Sequence, residues 1–206
     1  MYQKIIMISN KSGFFLLSSV IFLSSCITTK KISKYYLQNQ KVIDSIQSSF
    51  KEQYAKKPFS VEFTDRSFKN ISLEIFTDSL KYIYGFDISE NRLKDTLIKY
   101  HLNVDKLREI INQMKLVQCT WVNNIDYYVD ANKKSLVFIS FRPKILNIPF
   151  TNKKYYILTY FDQPQYYDSY GILLDRRYRK RIRKINDDIF RRITPKVAYT
   201  LSDRFR

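Results

Sequence analysis

Residues 68–89 read FKNISLEIFTDSLKYIYGFDIS, and the placement of a helix within them decides the fold. Phe68 to Leu73 is extended in character. From there Leu73, Phe76, Leu80 and Ile83 keep helical spacing until Gly85, a helix-ending glycine, with Phe86-Asp87-Ile88-Ser89 extended behind it. Upstream, Phe59-Ser60-Val61-Glu62-Phe63 follows Pro58 and alternates as a strand. A second strand-helix-strand unit follows at an offset of 33 residues, from Asn70 to Asn103. In it Thr96 to Leu102 reads as a strand, and Asp105 is placed as the helix N-cap. Leu107, Ile110, Ile111 and Met114 form the helical stripe, and Cys119 to Val122 the returning strand.

Two such units in series, best seen in FKNISLEIFTDSLKYIYGFDIS and TLIKYHLNVDKLREIINQM, resemble the secretin and TonB short N-terminal domain over about residues 59–141. The resemblance implies a small α+β module of the kind carried inside larger envelope proteins. In that family a barrel or secretin core accompanies the module, and none is expected in residues 142–206.

Working outward toward the N-terminus, Tyr36, Ile43, Ile46, Phe50 and Tyr54 form an apolar stripe over Ser33 to Lys57, which predicts one amphipathic helix ending before Pro58. Toward the C-terminus, Ile125 to Val129 and Leu136 to Phe141 predict a hairpin, and Tyr155 to Phe161 another strand. A Tyr-rich loop, residues 163–171, comes next. Then Tyr178, Ile182, Ile185, Ile189 and Ile193 recur at steps of 4, 3, 4 and 4, which predicts a helix from Asp175 to Thr194. The expected architecture is therefore α+β: a core over 58–174 between a long N-terminal helix (33–57) and a basic C-terminal helix and tail (175–206).

The first residues carry an address. Lys4 and Lys11 precede an apolar run from Phe14 to Leu23, and no acid occurs before Asp44. The run is shorter than the roughly 20 residues a spanning helix needs. It closes on Leu23-Ser24-Ser25-Cys26, which resembles the lipobox of bacterial lipoprotein precursors. The resemblance implies loss of residues 1–25, lipidation of Cys26, and a short tether over 26–32. Two or more acyl chains hold firmly where one holds marginally. Ile27 stands where an aspartate would mark inner-membrane retention, so the expected location is the outer membrane, facing the periplasm.

The 206 residues carry a formal net charge of +17, with 36 basic and 19 acidic residues. The leader holds two of the lysines and none of the acids, which leaves +15 on 181 residues. A negatively charged partner is the natural inference. The excess is sharpest at Arg176, Arg177, Arg179, Lys180, Arg181, Arg183 and Lys184, seven cations in nine residues. Placed at a helix N-terminus they would oppose the helix dipole, a local cost that points to an external anion.

Catalytic chemistry has few parts to draw on. With Cys26 assigned to lipid, Cys119 is the remaining thiol, expected buried and inert on one strand face with Val117 and Trp121. His101 is the single histidine. It would stack with Asp105 and Glu109 if helical, but Asp105 reads better as a cap and Glu109 as a partner of Lys106. Only Gly85 and Gly171 lie beyond the leader, too few for a glycine-rich phosphate cradle, and no nucleophile elbow or HExxH is present. No cofactor, metal site or catalytic residue is assigned. Residues 90–116 can also be read as two helices around His101-Leu102-Asn103, a helix-turn-helix, although export argues against nucleic acid as partner. The expected function is that of a non-catalytic, lipid-anchored envelope protein that contacts an acidic protein or an anionic glycolipid. The alternative is a small protein binding or hydrolysing cell-wall glycan, built on the Tyr-rich loop with Asp162, Asp168 and Asp175.

Overall fold

Over residues 70–87 the chain forms two paired strands and no helix. In the computed structural model, which describes residues 12–129, 132–142 and 155–202, β2 (Asn70–Phe76) and β3 (Lys81–Asp87) run antiparallel in unbroken register from Asn70↔Asp87 to Phe76↔Lys81. The turn between them is built by Thr77. Its N–H and Oγ1–H both donate to Leu80 O, and its Oγ1 accepts from Leu80 N at 3.0 Å. The helical spacing of Leu73, Phe76, Leu80 and Ile83 loses to alternation. Ile71, Leu73 and Ile75 are buried on one face, while Leu80 and Ile83 stay exposed.

Contacts divide the chain into two units, residues 1–38 and 39–206. The helix α1 is assigned over Ser12–Lys56. Residues 1–11 of the leader and the side chain of Cys26 lie outside the described residues.

In the second unit β1 (Phe59–Phe63) and β4 (Cys119–Val129) sit side by side at the centre of a sheet. One meander leads from β1 through β2 to β3, and a second from β4 through β5 (Asn132–Phe141) to β6 (Tyr155–Phe161). The strand β10 (Val197–Ser202) adds beside β6, and the two-residue β9 (Arg191–Arg192) closes that edge. The result is an eight-stranded antiparallel sheet with the order β3-β2-β1-β4-β5-β6-β10-β9. The expected α+β chain of strand-helix-strand units is thus overturned: the molecule is sheet-rich, with three helices beside the sheet.

The second supposed unit fails for a related reason. Residues 96–102, expected as a strand, belong to α2 (Asn91–Lys99) and the turn after it, and α3 (Val104–Leu116) follows. Leu93 and Leu97 fall four apart and are both buried, so a helix hides the pair that a strand would also have placed inside. The helix-to-helix turn puts His101 at φ +59°. The cap is Asn103, whose side chain accepts from Lys106 N at 2.9 Å; Asp105 lies in the first turn instead. Asn70 opens a strand and Asn103 opens a helix, so the offset of 33 residues is no structural repeat.

One face of the sheet is covered by helices. Leu93 and Leu97 of α2, Leu107, Ile110, Ile111 and Met114 of α3, and Ile43, Ile46 and Phe50 of α1 are all buried. Phe50 meets Phe59 of β1 with ring centroids 4.8 Å apart. Polar contacts fix the register of α1: Gln53 Oε1 accepts from Asn103 N, Gln113 donates to Ser45 Oγ, and Tyr160 donates to Asp44. Burial of each large apolar side chain contributes about 1.5–3 kcal/mol, so this layer carries much of the stability.

The other face, across β4, β5, β6 and β10, is covered by the chain between β6 and β10. There Trp121, Leu136, Phe138, Ile157, Phe161 and Ala198 pack with Leu173 and Phe190. A β-bulge between Cys119 and Trp121 pairs Cys119 with Phe141 but Trp121 with Ser140. The two residues therefore point to opposite faces, which corrects their expected shared face. Cys119 is fully buried, and burial pushes its thiol well above the ordinary range, so it stays protonated.

Candidate functional site

The seven cations lie on a hairpin, and the helix expected from Asp175 to Thr194 does not form. After β6 the chain crosses the sheet and pairs Leu174 with Ile182. Asp175 N donates to Arg181 O and Arg181 N to Tyr178 O, which closes residues 176–181 into a protruding tip. The backbone then runs into β7 (Lys184–Ile185), a two-residue turn at Asn186-Asp187, and β8 (Asp188–Ile189). Asn186 and Asp187 have φ of +52° and +65°, the pattern of a type I′ hairpin turn. Asn and Asp tolerate the left-handed region best among non-glycine residues, so Asn186-Asp187-Asp188 specifies a turn where the isoleucine spacing suggested a helix.

Burial confirms that the stripe is not a packed helix face. Tyr178 is 65% exposed, and Ile182 and Ile189 are also exposed. Leu173 and Phe190 reach the core instead, with Tyr167 and Ile185 packed at its border. These four side chains pin the excursion to the sheet. With no helix present, the expected clash between the cations and a helix dipole disappears; what remains is their mutual repulsion.

Arg176, Arg177, Arg179, Lys180, Arg181 and Lys184 are exposed, and Arg183 is half-buried. Arg183 donates to Gln165 Oε1 at 3.1 Å and lies over the Phe161 ring. Arg179 sits 4.4 Å from the Tyr166 ring centroid, with its Nη2 3.4 Å from the Tyr166 hydroxyl. Stacking of this kind holds a guanidinium in place while leaving its N–H edge free to face solvent. Tyr178, Arg179, Lys180 and Arg181 border an open depression of about 710 Å³. Asp175, at the base of the tip, accepts from Arg177 N and Tyr178 N, and those two donors hold its carboxyl below the ordinary range. It is thereby committed to the turn. Two further cations, Arg191 and Arg192, which sequence reasoning passed over, flank the same excursion on β9, with Arg192 over the Tyr167 ring. Their adjacency to Phe190, the buried anchor, was the available signal.

Each of the three aspartates named for glycan chemistry is engaged by partners of its own. Asp168 accepts from Tyr170 N and Ile172 N and shapes the Tyr-rich loop. Asp162 pairs with Lys51 and accepts from Ser135 N at 3.2 Å. A cavity of about 220 Å³ beside it is lined by Gln47, Lys51, Ser135, Tyr160 and Lys196 among others, with Asp162 as its carboxylate. In the Tyr-rich loop Tyr167 is packed inward, and burial pushes its hydroxyl up to about 12, whereas Tyr170 is 81% exposed. His101 sits in the turn before α3 and does not stack with Asp105 and Glu109; Glu109 lies 3.4 Å from Lys106. Among the described residues no group of three or more His, Cys, Asp or Glu is placed to hold a metal ion. No helix among them is long and apolar enough to cross a membrane.

Comparison with known proteins finds no matching family model, no matching curated protein and no matching solved structure.

Proposed function

We propose that the chain is a lipid-anchored bacterial envelope protein, tethered through Cys26 after loss of residues 1–25, whose cationic hairpin docks on an anionic surface or partner. The single observation that carries the docking half is the tip at residues 176–181, where five exposed cations and an exposed Tyr178 stand on a pinned hairpin. Like charges this close raise the folding cost, and a bound anion offsets it. Arginine's planar fork suits phosphate or carboxylate, so a phosphorylated envelope glycolipid and an acidic protein share the chemistry that would be recognised. The anchoring half rests on the lipobox resemblance at Leu23-Ser24-Ser25-Cys26. The outer membrane, on its periplasmic side, is the location this reading favours, with Ile27 after the lipidated position.

Flotation with vesicles tests the docking half. Purified without its lipid, as Cys26→Ser lacking residues 1–25, the protein should bind phosphatidylcholine vesicles more tightly when phosphatidylglycerol is included. Exposed charges are screened beyond about 8–10 Å at physiological salt, so that gain should fall at least tenfold as salt is raised from low to high. Equal binding to neutral and anionic vesicles at low salt would contradict docking by charge. Mass spectrometry of the mature N-terminus tests the anchor, and an unmodified Cys26 or a chain still beginning at Met1 would contradict it.

A further inference from the structure

The two edges of the sheet are finished differently. At one edge β9 has two residues, and Arg192 N is already bonded to Gly171 O at 2.7 Å. At the other, β3 runs seven residues and is paired on its β2 side alone among the described residues. Thr77 N bonds Leu80 O, and Ile88 N bonds Lys69 O, at the two ends of this ladder. Antiparallel ladders alternate, so Tyr82, Tyr84 and Phe86 direct their N–H and C=O groups toward β2. Lys81, Ile83 and Gly85 direct theirs outward, into solvent. Such an edge is a template for another strand.

The sequence of β3 indicates which strand fits. Set a second β3 antiparallel to the first, with a two-fold axis at Tyr84, and residue pairs follow by register alone. Lys81 falls opposite Asp87 of the second copy, Tyr82 opposite Phe86, and Ile83 opposite Gly85, each pair occurring twice. Opposite charges meet at both ends. Ile83, 58% exposed, is the exposed β-branched side chain on its face of the strand, and it meets the residue with no side chain. A Cβ at Gly85 would find nothing within 4 Å, so the space opposite Ile83 is open in the protomer. Glycine within a strand marks a place where another backbone or side chain approaches closely. The register also places Tyr84 opposite itself in a non-hydrogen-bonded position, while the outward groups of Ile83 and Gly85 exchange hydrogen bonds with the partner copy. On the helix side the row Phe86, Tyr84, Tyr82, with neighbouring centroids 6.0 and 6.5 Å apart, would continue into the second copy. Lys81 already lies 3.4 Å from Glu74, and Asp87 Oδ1 accepts from Ser89 N and Oγ. The ammonium has three donors and the carboxylate a second oxygen, so neither contact precludes the new pair.

We propose that β3 pairs with β3 of a second copy of this chain about a two-fold axis at Tyr84, joining two sheets edge to edge. Homodimers of this kind are isologous: one patch meets itself. The dimer stands independently of the anion-docking reading.

Sedimentation of the full chain in detergent micelles, far from one-to-one loading of micelles, tests the state. The wild type should be dimeric at tens of micromolar. Ile83→Pro removes one outward N–H and leaves the β2 ladder intact, so it should weaken the dimer at least tenfold with an unchanged far-ultraviolet spectrum. Single-cysteine oxidation reads the register. Tyr84→Cys should give a cross-linked dimer above the parent chain's background. Lys81→Cys should not, because the two copies of residue 81 lie about six strand residues apart, roughly 20 Å. A monomeric wild type at the highest concentration would overturn the proposal. So would an Ile83→Pro variant that dimerises as the wild type does, or cross-linking as efficient at 81 as at 84. Should the wild type be monomeric and the β3 amides gain protection from exchange only with envelope extract present, the edge belongs to a different polypeptide and self-pairing fails.

Discussion

Strands β4 to β6 and the excursion between β6 and β10 meet on opposite sides of one apolar cluster, and they are built by different rules. The strands supply Trp121, Leu136, Phe138, Ile157 and Phe161 by alternation, so each second residue is committed to a face. The excursion supplies two buried side chains, Leu173 and Phe190, with Tyr167 and Ile185 at the border. Between residues 163 and 196 it also carries ten cations against four acids. A segment held by a few anchors can load its remaining positions with charge, because those positions never enter the core. The sheet has no such freedom. The charge is therefore placed where packing demands least.

The comparison breaks first if the anchors do not matter. Phe190→Ala empties a site in the shared cluster and should cost about 3–5 kcal/mol in denaturant unfolding. A cost below about 1 kcal/mol would mean that the excursion is draped on the sheet and not pinned to it.

A smaller effect sharpens the account of the α2–α3 connection. Asn103→Ala removes the cap on Lys106 N and should cost about 0.5–2 kcal/mol, whereas Asp105→Ala, expected from sequence to be the cap, should cost less. Equal costs would restore Asp105 as the cap.

Smaller again is the link between α1 and the start of the excursion. Burial raises the Asp162 carboxyl, but the Lys51 ammonium and Ser135 N–H outweigh it and leave the group below its ordinary value. A folded-state value below the unfolded one means stability present at neutral pH and lost as pH falls through the acid range. Asp162→Asn should therefore cost about 1 kcal/mol or less at pH 7, since both side chains are partly exposed. The difference from wild type should shrink as pH falls below the ordinary carboxylate range and vanish once the folded protein itself has Asp162 protonated. A difference that persists there would assign the effect to packing.

How much was legible follows the same division. The hairpin of β4 and β5, the strand β6 and the apolar stripe at Ile43, Ile46 and Phe50 were readable because a single period dominates each. Leu73, Phe76, Leu80 and Ile83 misled because Ile71, Leu73 and Ile75 share the same stretch at period two, and the Thr77 turn decides between them. At 91–102, Leu93 and Leu97 fall four apart and satisfy either period, so the pair alone did not separate helix from strand. The isoleucine spacing from 178 to 193 gave a helix that Asn186-Asp187 forbids, and β10 was lost behind it. Of the candidate site, the cations were legible as a cluster; their support by Tyr166 and Gln165 was not, because those contacts span 13 and 18 residues.

The smallest expected effect on stability accompanies the largest on binding. Arg176, Arg177, Lys180 and Lys184, all exposed, changed together to Gln should lower the unfolding free energy by no more than about 0.5 kcal/mol, since each exposed change costs little and their mutual repulsion is relieved. Each cation near an anionic surface contributes about 1 kcal/mol, so the same variant, compared with wild type in the unlipidated Cys26→Ser form, should lose at least tenfold in affinity for phosphatidylglycerol-containing vesicles at low salt. Unfolding and vesicle binding measured on that one quadruple variant test the account most directly. Unchanged folding with weakened binding is the predicted result; wild-type binding at low salt, or substantial loss of stability, would contradict it.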